Sequence, residues 1–259
     1  MTTYCQIHNE DCLIGIQKIQ DKSIDLIVTS PPYNCNLGNN KYHHLTYDIY
    51  QDNKSHEEYL NWLCEIFFQF KQKLKIGGRV AINVVDTYGG KIPVVNDICN
   101  FMTHILGYLP MGNIIWNKNN IQSRCSWGSW QSPSCPSLLF SYEYILLFAN
   151  ENRKIQYKGE TDLSKEEFLK YVNSLWTIAP EGRSKKKFNH PAAFPVELPK
   201  RLIKLLTWKD SLIVDPFMGV GSTAVASKEL GRNFIGFEIS PEYCETAKKR
   251  IDDSDSGQQ

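Results

Sequence analysis

Residues Ser30-Pro31-Pro32-Tyr33 place a hydroxyl, two prolines and an aromatic ring directly after the apolar run 24–28. Consecutive prolines fix φ and donate no backbone N–H, so the carbonyls of Ser30 and Pro31 are left to accept hydrogen bonds from something else. An exocyclic amino group can supply those donors, and Tyr33 can stack on the ring that carries it, as aromatic side chains do on unstacked bases. The chemistry written here is a pocket for a flat, amine-bearing ring. The plain alternative is a Pro-Pro turn that closes an ordinary strand, and four residues do not choose between the two.

A second constellation lies late in the chain. Residues 211–214 read as a buried strand, followed by Asp215-Pro216-Phe217-Met218-Gly219-Val220-Gly221-Ser222-Thr223 and a helix-compatible run to Leu230, closed by Gly231. The glycines allow a ligand to approach the backbone at the helix start, and with Ala224 they satisfy the loose G-x-G-x-x-A dinucleotide fingerprint, so spacing does not name the cofactor. Glu238 ends the apolar run 234–237, where its carboxylate can hold ribose hydroxyls of a dinucleotide or a nucleoside. Asp215 discriminates. A carboxylate at the mouth of the glycine turn repels a pyrophosphate and attracts the ammonium and sulfonium of S-adenosylmethionine.

Thr29-Ser30-Pro31-Pro32-Tyr33-Asn34 early and Asp215 through Ser222 late resemble the permuted, β-class amino-methyltransferases of DNA, which methylate N4 of cytosine or N6 of adenine. The resemblance runs from about Tyr4 to Ile251, with the catalytic motif preceding the cofactor motif as in that family. Between them, Gly77-Gly78 leading into residues 79–86 is similar to the family's next strand, and Asn189-His190-Pro191-Ala192-Ala193-Phe194-Pro195 to its element before the cofactor strand. The resemblance implies a Rossmann-like α/β methyltransferase fold, with a mostly parallel doubly wound sheet and a C-terminal, hairpin-type antiparallel strand. It implies S-adenosylmethionine as cofactor, no metal, duplex DNA as substrate, a cognate restriction endonuclease acting at the same site, and a homodimer. It places Asp11 against the cofactor's adenine, where sequence alone reads an N-cap for a helix starting at Cys12. It sets His190, Phe194 and Pro195 at the methionine end, and Thr29, Pro216, Phe217, Gly219 and Gly221 around the cofactor. Ser222 and Thr223 read as helix caps that can also meet the ligand.

The mechanism expected is direct in-line transfer to a flipped base, stacked on Tyr33 and held by Ser30 and the Pro31 carbonyl. Methylation at cytosine C5 needs a nucleophilic cysteine in Pro-Cys order, whereas Cys135 stands in Ser134-Cys135-Pro136. In the resembling family serine at the first motif position is commoner among N4-cytosine enzymes and aspartate among N6-adenine enzymes, which favours cytosine N4, with adenine N6 as the alternative. Methyltransferases of glutamine amides or RNA use an Asn-first Pro-Pro-Tyr turn with the cofactor block preceding it, the reverse of the order here. A silent cofactor- or DNA-binding module has no need to keep Ser30 and Tyr33 together.

The elements that must position these residues follow from periodicity. Strands are expected at 4–8, 24–28, 79–85, 113–116, 142–148, 211–214 and 234–237, and helices at 12–19, 55–74, 93–109, 196–207 and 241–251. Ser55 and Glu58 make a capping box for the second helix, whose apolar residues, Trp62 included, read as core, and Gly77-Gly78 stop it. The alternation argues for crossover connections and a cleft beyond the strand ends, where the tyrosine turn, Asp86, Asp215 and Glu238 converge.

The 259 residues, 42% apolar and 12% aromatic, suffice for one α/β core with an inserted lobe. The expected organisation is a catalytic half at 1–150, a small target-recognition insert at 151–189 and a cofactor-binding half at 190–259. No signal-like opening or membrane-length apolar run is present, and a cytoplasmic protein with reduced thiols is expected; the eight cysteines contain no C-x-x-C pair. A net charge of +1 gives no global pull toward nucleic acid, so DNA contacts must come from local segments. The candidates are residues 34–53, including Asn34, as a lid or else a mobile surface loop; residues 116–136 with Lys118 and Arg124, whose tryptophans read more readily as anchors on the core; and the insert's end with Arg183, Lys185, Lys186 and Lys187, otherwise a solvated charge run.

Overall fold

Strands buried on both faces carry this fold, and the alternation of their side chains decides which helices each face receives. The computed structural model describes residues 4–34, 47–51, 53–86, 91–119, 128–138, 140–181, 188, 190 and 193–256. Its strands are β1 Cys5–His8, β2 Ile24–Thr29, β3 Leu74–Val84, β4 Leu109–Asn117, β5 Tyr142–Ala149, β6 Leu175–Thr177, β7 Leu212–Asp215 and β8 Asn233–Phe237. The helices are α1 Cys12–Gly15, α2 His56–Lys73, α3 Val94–Asn100, α4 Lys165–Tyr171, α5 Glu197–Leu206, α6 Ser222–Glu229 and α7 Pro241–Ser256. No helix among the described residues is long and apolar enough to cross a membrane.

The sheet order is β1-β8-β7-β2-β3-β5-β4-β6. Along β3, Val80, Ile82 and Val84 face one core with α2 and α3, while Ala81 faces the other. Along β7, Leu212 and Val214 join the first core, whereas Ile213 joins the second with Leu202 of α5 and Ala226 of α6. This period of two, read on strands with helices on both sides, gives the mostly parallel, doubly wound sheet that the sequence led us to expect. The connections out of β2 and β7, which are hydrogen-bonded neighbours, diverge to opposite sides of the sheet. Their carboxyl ends therefore flank a switch point, the place where such sheets bind ligands.

One expectation is corrected here. Among the described residues the strand that opposes its neighbours is β5, which pairs antiparallel with β3 and β4 in mid-chain, while the last strand, β8, is parallel to both β1 and β7. The physical reason is connection type: β8 is reached from β7 through the crossover helix α6, which imposes parallel pairing.

Two boundaries also moved. Helix α2 carries the expected capping box, with Ser55 N donating to Glu58 Oε2 at 2.8 Å and Glu58 N to Ser55 Oγ at 3.2 Å. It ends at Lys73, however, and the chain passes straight into β3 at Leu74, so Gly77 and Gly78 lie inside the strand. Gly77 is required there for closeness: its φ is +76°, and a Cβ would stand 2.6 Å from the Lys154 carbonyl oxygen. The helix expected over 93–109 closes at Ile105 through a π turn, and Leu109 already belongs to β4.

The segment expected as a recognition insert is partly sheet. Residues 175–177 form β6, parallel to β4 at the sheet's edge, and Trp176 is 1% exposed. The indole N–H of Trp176 donates to the Tyr171 carbonyl at 3.2 Å, and that of Trp116 to the Ile178 carbonyl at 2.8 Å. Two buried tryptophans with satisfied donors anchor residues 171–178 to the main core. Residues 182–187 and 189 lie outside the described residues.

Candidate active site

The ends of β2 and β7 meet in one cavity, built from four groups of residues. Ser30, Pro31, Pro32 and Tyr33 come from the turn after β2, and Pro216, Phe217, Gly219 and Ser222 from the glycine turn after β7. Asp11 and Cys12 follow β1, and Glu238, Ile239 and Ser240 follow β8. Tyr47, Ile49, Tyr50 and Lys54 close over them together with Trp62 of α2.

Gly219 has φ +52°, and a Cβ there would lie 3.1 Å from His190 Nε2, so the turn depends on glycine. Its N–H donates to Glu238 Oε2 at 2.9 Å, and Ser240 N donates to Oε1 at 2.8 Å. Burial raises the Glu238 pKa, and those two N–H bonds offset the rise only in part. Each oxygen keeps a further lone-pair site for a ligand hydroxyl. Asp11 lines the cavity and also caps α1, Leu13 N donating to its Oδ1 at 2.8 Å, so both roles read for it are compatible. His190 is buried, with its pKa pushed down to about 4 by burial and by the Arg250 charge, and its ring meets Tyr243 edge-on at 4.7 Å. A neutral imidazole therefore stands beside the glycine turn. Ser222 Oγ donates to the Phe194 carbonyl at 2.7 Å, and both residues reach the cavity wall.

Asp215 is not at the wall. It is fully buried, with Oδ1 accepting from Thr29 Oγ1 at 2.7 Å and from Phe217 N at 3.1 Å, and Oδ2 accepting from Thr223 Oγ1 at 2.7 Å. Burial pushes its pKa up to about 6 against the pull of those donors. Both oxygens brace the two turns against each other and neither reaches the cavity lining, which corrects the reading of Asp215 as a direct contact to a cationic ligand. Thr29 and Thr223 belong to the same brace, and Pro195 and Gly221 also stand behind the lining; a Cβ on Gly221 would lie 2.8 Å from the Ala247 Cβ. Asp86 likewise stays out of the cavity, accepting from the Tyr142 hydroxyl at 3.2 Å. The negative charge at the wall comes instead from Asp11, Glu238 and Glu10, the last paired with Lys18 at 2.5 Å.

Behind the tyrosine turn lies a network that the sequence did not reveal. Ser30 Oγ donates to Tyr33 Oη at 3.2 Å, and Tyr33 Oη donates to Glu143 Oε2 at 2.9 Å. Asn83 Nδ2 donates to Tyr33 Oη at 2.9 Å and to Glu143 Oε2 at 2.8 Å, and Lys118 Nζ donates to Glu143 Oε1. Burial, with the Glu143 charge adding to it, drives the Tyr33 pKa well above its ordinary value, so the phenol keeps its proton. With its hydroxyl hydrogen engaged by Tyr33 and one lone pair accepting from Asn83 Nδ2 at 3.4 Å, Ser30 keeps one lone pair for the cavity.

The residues expected at DNA divide in two. Arg124, Arg183, Lys185, Lys186 and Lys187 lie outside the described residues, as do 35–46 of the expected lid. Asn34 and Lys118 are described, and both are engaged within the protein. The Asn34 amide donates to the Lys54 carbonyl at 2.8 Å and accepts from Lys54 N at 3.0 Å, while Lys118 holds Glu143. Sequence also missed the aromatic wall: Trp62, read as core, stacks on Tyr50 at 5.6 Å and packs on Phe217 at 5.3 Å. Helical spacing could not separate it from its buried neighbours, because the wall of the cavity and the core share that face of α2.

An N6/N4 methyltransferase family model, described as DNA methylase, matches residues 24–249. The chain belongs to this family. Among curated relatives of this N6/N4 DNA methylase, Type II methyltransferase M.MjaVI of Methanocaldococcus jannaschii is 36% identical over 66% of this chain and 85% of its own. Type II methyltransferase M.BglII of Bacillus subtilis is 30% identical over 93% and 67% respectively. Among solved structures, TTHA0409 of Thermus thermophilus, assigned as a DNA modification methylase and complexed with S-adenosyl-L-methionine, superposes with a TM-score of 0.72 at 25% identity, covering 97% of this chain and 96% of that one. The cytosine-N4-specific PvuII DNA methyltransferase shares the fold, with a TM-score of 0.72 at 22% identity over 96% and 87%.

Proposed function

We propose that this N6/N4 DNA methylase transfers a methyl group from S-adenosylmethionine to N4 of a cytosine flipped out of duplex DNA. The observation that carries the reading is the Ser30-to-Tyr33 hydrogen bond at the mouth of a cavity that also contains Gly219 and Glu238. It engages the Ser30 hydroxyl hydrogen and so leaves the Ser30 oxygen as an acceptor on the cavity wall.

The cavity suits a nucleoside with a cationic tail. Glu238 has lone pairs left for ribose hydroxyls, Phe217 and Ile239 offer apolar faces, and the acidic wall disfavours a pyrophosphate. S-adenosylmethionine, when bound, supplies a methyl group activated by a sulfonium. The protein's own contribution is positioning. Ser30 and the Pro31 carbonyl hold the amine so that its lone pair points at the methyl carbon, Tyr33 supports the base from its face, and the aromatic wall of Tyr50 and Trp62 excludes water. Serine rather than aspartate at position 30 supports cytosine over adenine, because serine there is commoner among the family's N4-cytosine enzymes. The Type II relatives support a cognate restriction endonuclease as a partner in the same cell.

Incubation with labelled S-adenosylmethionine and mixed-sequence duplex DNA, followed by nucleoside mass spectrometry, tests this. N4-methyldeoxycytidine is the expected product. N6-methyldeoxyadenosine keeps the pocket and overturns the base choice, and no labelled nucleoside overturns the DNA reading.

A further inference from the structure

Methylating an exocyclic amine leaves a proton to be removed. The N–CH3 bond forms with the amine's lone pair, the S–CH3 bond breaks with its electron pair left on sulfur, and nitrogen carries a positive charge until one N–H proton departs. The acids at the cavity wall sit at the other end of it: Glu238 holds the glycine turn, Asp11 caps α1, and Glu10 is paired with Lys18. At the amine end the polar side chain from the catalytic turn is Ser30, and a serine hydroxyl accepts a proton only if it passes its own one on.

We propose that Glu143 takes up that proton through the hydroxyls of Tyr33 and Ser30. This rests on the reading of the cavity as an amino-methyltransferase site. The relay is continuous and points one way. Ser30 donates to Tyr33 at 3.2 Å, and Tyr33 donates to Glu143 at 2.9 Å. Every polar partner of the Glu143 carboxylate is a donor: the Tyr33 phenol from the turn, the Asn83 amide from β3 and the Lys118 ammonium from the residue after β4. With donors on every side among its described partners, this carboxylate is the group at the end of the network with oxygen lone pairs to receive a proton. The amine proton goes to Ser30 Oγ, the Ser30 proton to Tyr33 Oη and the Tyr33 proton to Glu143 Oε2. Serine and tyrosine end neutral as they began, and the positive charge formed on the base is cancelled by the negative charge lost at Glu143. Because the phenol holds its proton firmly, the three transfers move together rather than through a free phenolate. Glu143 is 5% exposed and is shielded from bulk water, whereas the Lys118 side chain is 22% exposed and borders the route by which the proton later leaves.

The test compares wild type, Glu143→Gln, Tyr33→Phe and the double variant in single-turnover methyl transfer across pH, with cofactor affinity by calorimetry and thermal unfolding measured alongside. Glutamine still accepts the tyrosine's hydrogen bond but cannot be protonated to a neutral acid, and phenylalanine keeps the ring while cutting the relay. The expected result is a fall of about 10²-fold or more in the transfer rate for each single variant, the range in which positioned proton acceptors act. The double variant is expected to be no slower than either single, cofactor affinity unchanged, and the acidic limb of the wild-type pH profile absent from Glu143→Gln. Multiplying losses, or a Glu143→Gln enzyme with wild-type rate and acidic limb, would overturn the relay. Should Glu143→Gln not fold, Tyr33→Phe decides: a wild-type rate without the phenol overturns the relay equally. A wild type that methylates no nucleoside overturns the functional reading instead, and the relay with it.

Discussion

Two buried carboxylates stand behind neighbouring turns of this sheet, and their company differs. Asp215, behind the glycine turn, is held by two threonine hydroxyls and one backbone N–H, with no cation among its hydrogen-bond partners in the described residues. Glu143, behind the tyrosine turn, faces an ammonium, an amide and a phenol. Neutral donors do not fully repay the burial of a charge, and the Asp215 pKa of about 6 records the shortfall. The cofactor side thus keeps an acid whose charge is uncompensated until a cation arrives nearby, and the base side keeps one whose charge is compensated from the start. A sheet can in this way serve two ligands with the same functional group by changing only what surrounds it.

The largest effect that would sharpen the contrast is on the base side. Tyr33→Ala removes the stacking face and cuts the network, and transfer should fall by at least about 10²-fold while calorimetry shows S-adenosylmethionine binding intact. Full activity in that variant would break the assignment of the turn as the base pocket.

On the cofactor side, Asp215→Ala leaves two hydroxyls and an N–H without their acceptor, at a cost of about 1–3 kcal/mol for each group that stays buried and unpaired. Cofactor affinity should weaken about tenfold or more through the loosened turns, although the side chain itself does not reach the cavity. Asp215 also gives a pH signature. Its folded-state pKa of about 6 lies above the ordinary 3.8, so the native state binds this proton more tightly than the unfolded chain does. The contribution of this group to stability without ligand should therefore fall as pH rises from 4 to 6, by about 3 kcal/mol, and level off above. Over the same window His190, with its pKa pushed down to about 4, contributes a slope of opposite sign, so denaturant titrations should reveal the Asp215 contribution as the difference between wild type and Asp215→Asn. An unchanged slope in the variant would place the titration elsewhere.

Smaller effects follow. Gly219→Ala forces a side chain into φ +52° beside His190, a strain of about 1–2 kcal/mol, and should weaken cofactor binding about tenfold with little change in the transfer rate at saturation. Ser55→Ala removes the cap of α2, contacts neither carboxylate, and should lower stability by about 1 kcal/mol with smaller effects on ligand affinity than the variants above.

Both turns were legible in the sequence because their chemistry is written in consecutive residues: a proline pair needs no partner to withhold its N–H, and glycine spacing needs none to mark a close approach. The network behind them was not. Glu143 is 110 positions from Tyr33, and only the pairing of β5 against β3 brings it beneath the turn. In the sequence it is one acid in an apolar strand. Asp215 was legible as important but not in its role, since a carboxylate at a strand end reads equally as ligand contact or internal brace until its threonine partners are located. β6 escaped notice because three residues carry too little alternation to register as a strand, and Gly77 misled because a glycine after a helix ordinarily marks its stop.

The hydrogen bond from Thr29 to Asp215 spans 186 positions, and it joins the two strands that flank the cavity. During synthesis, a ribosome adding about 5–20 residues per second needs roughly ten to forty seconds to travel between them. Throughout that interval the tyrosine turn exists without the strand it must brace against, and pairings of such long sequence separation are slow to form even once the chain is complete. The nascent polypeptide is therefore chemically mute until β7 and the glycine turn have emerged, and their appearance, rather than that of the tyrosine turn, sets when the molecule can begin to act.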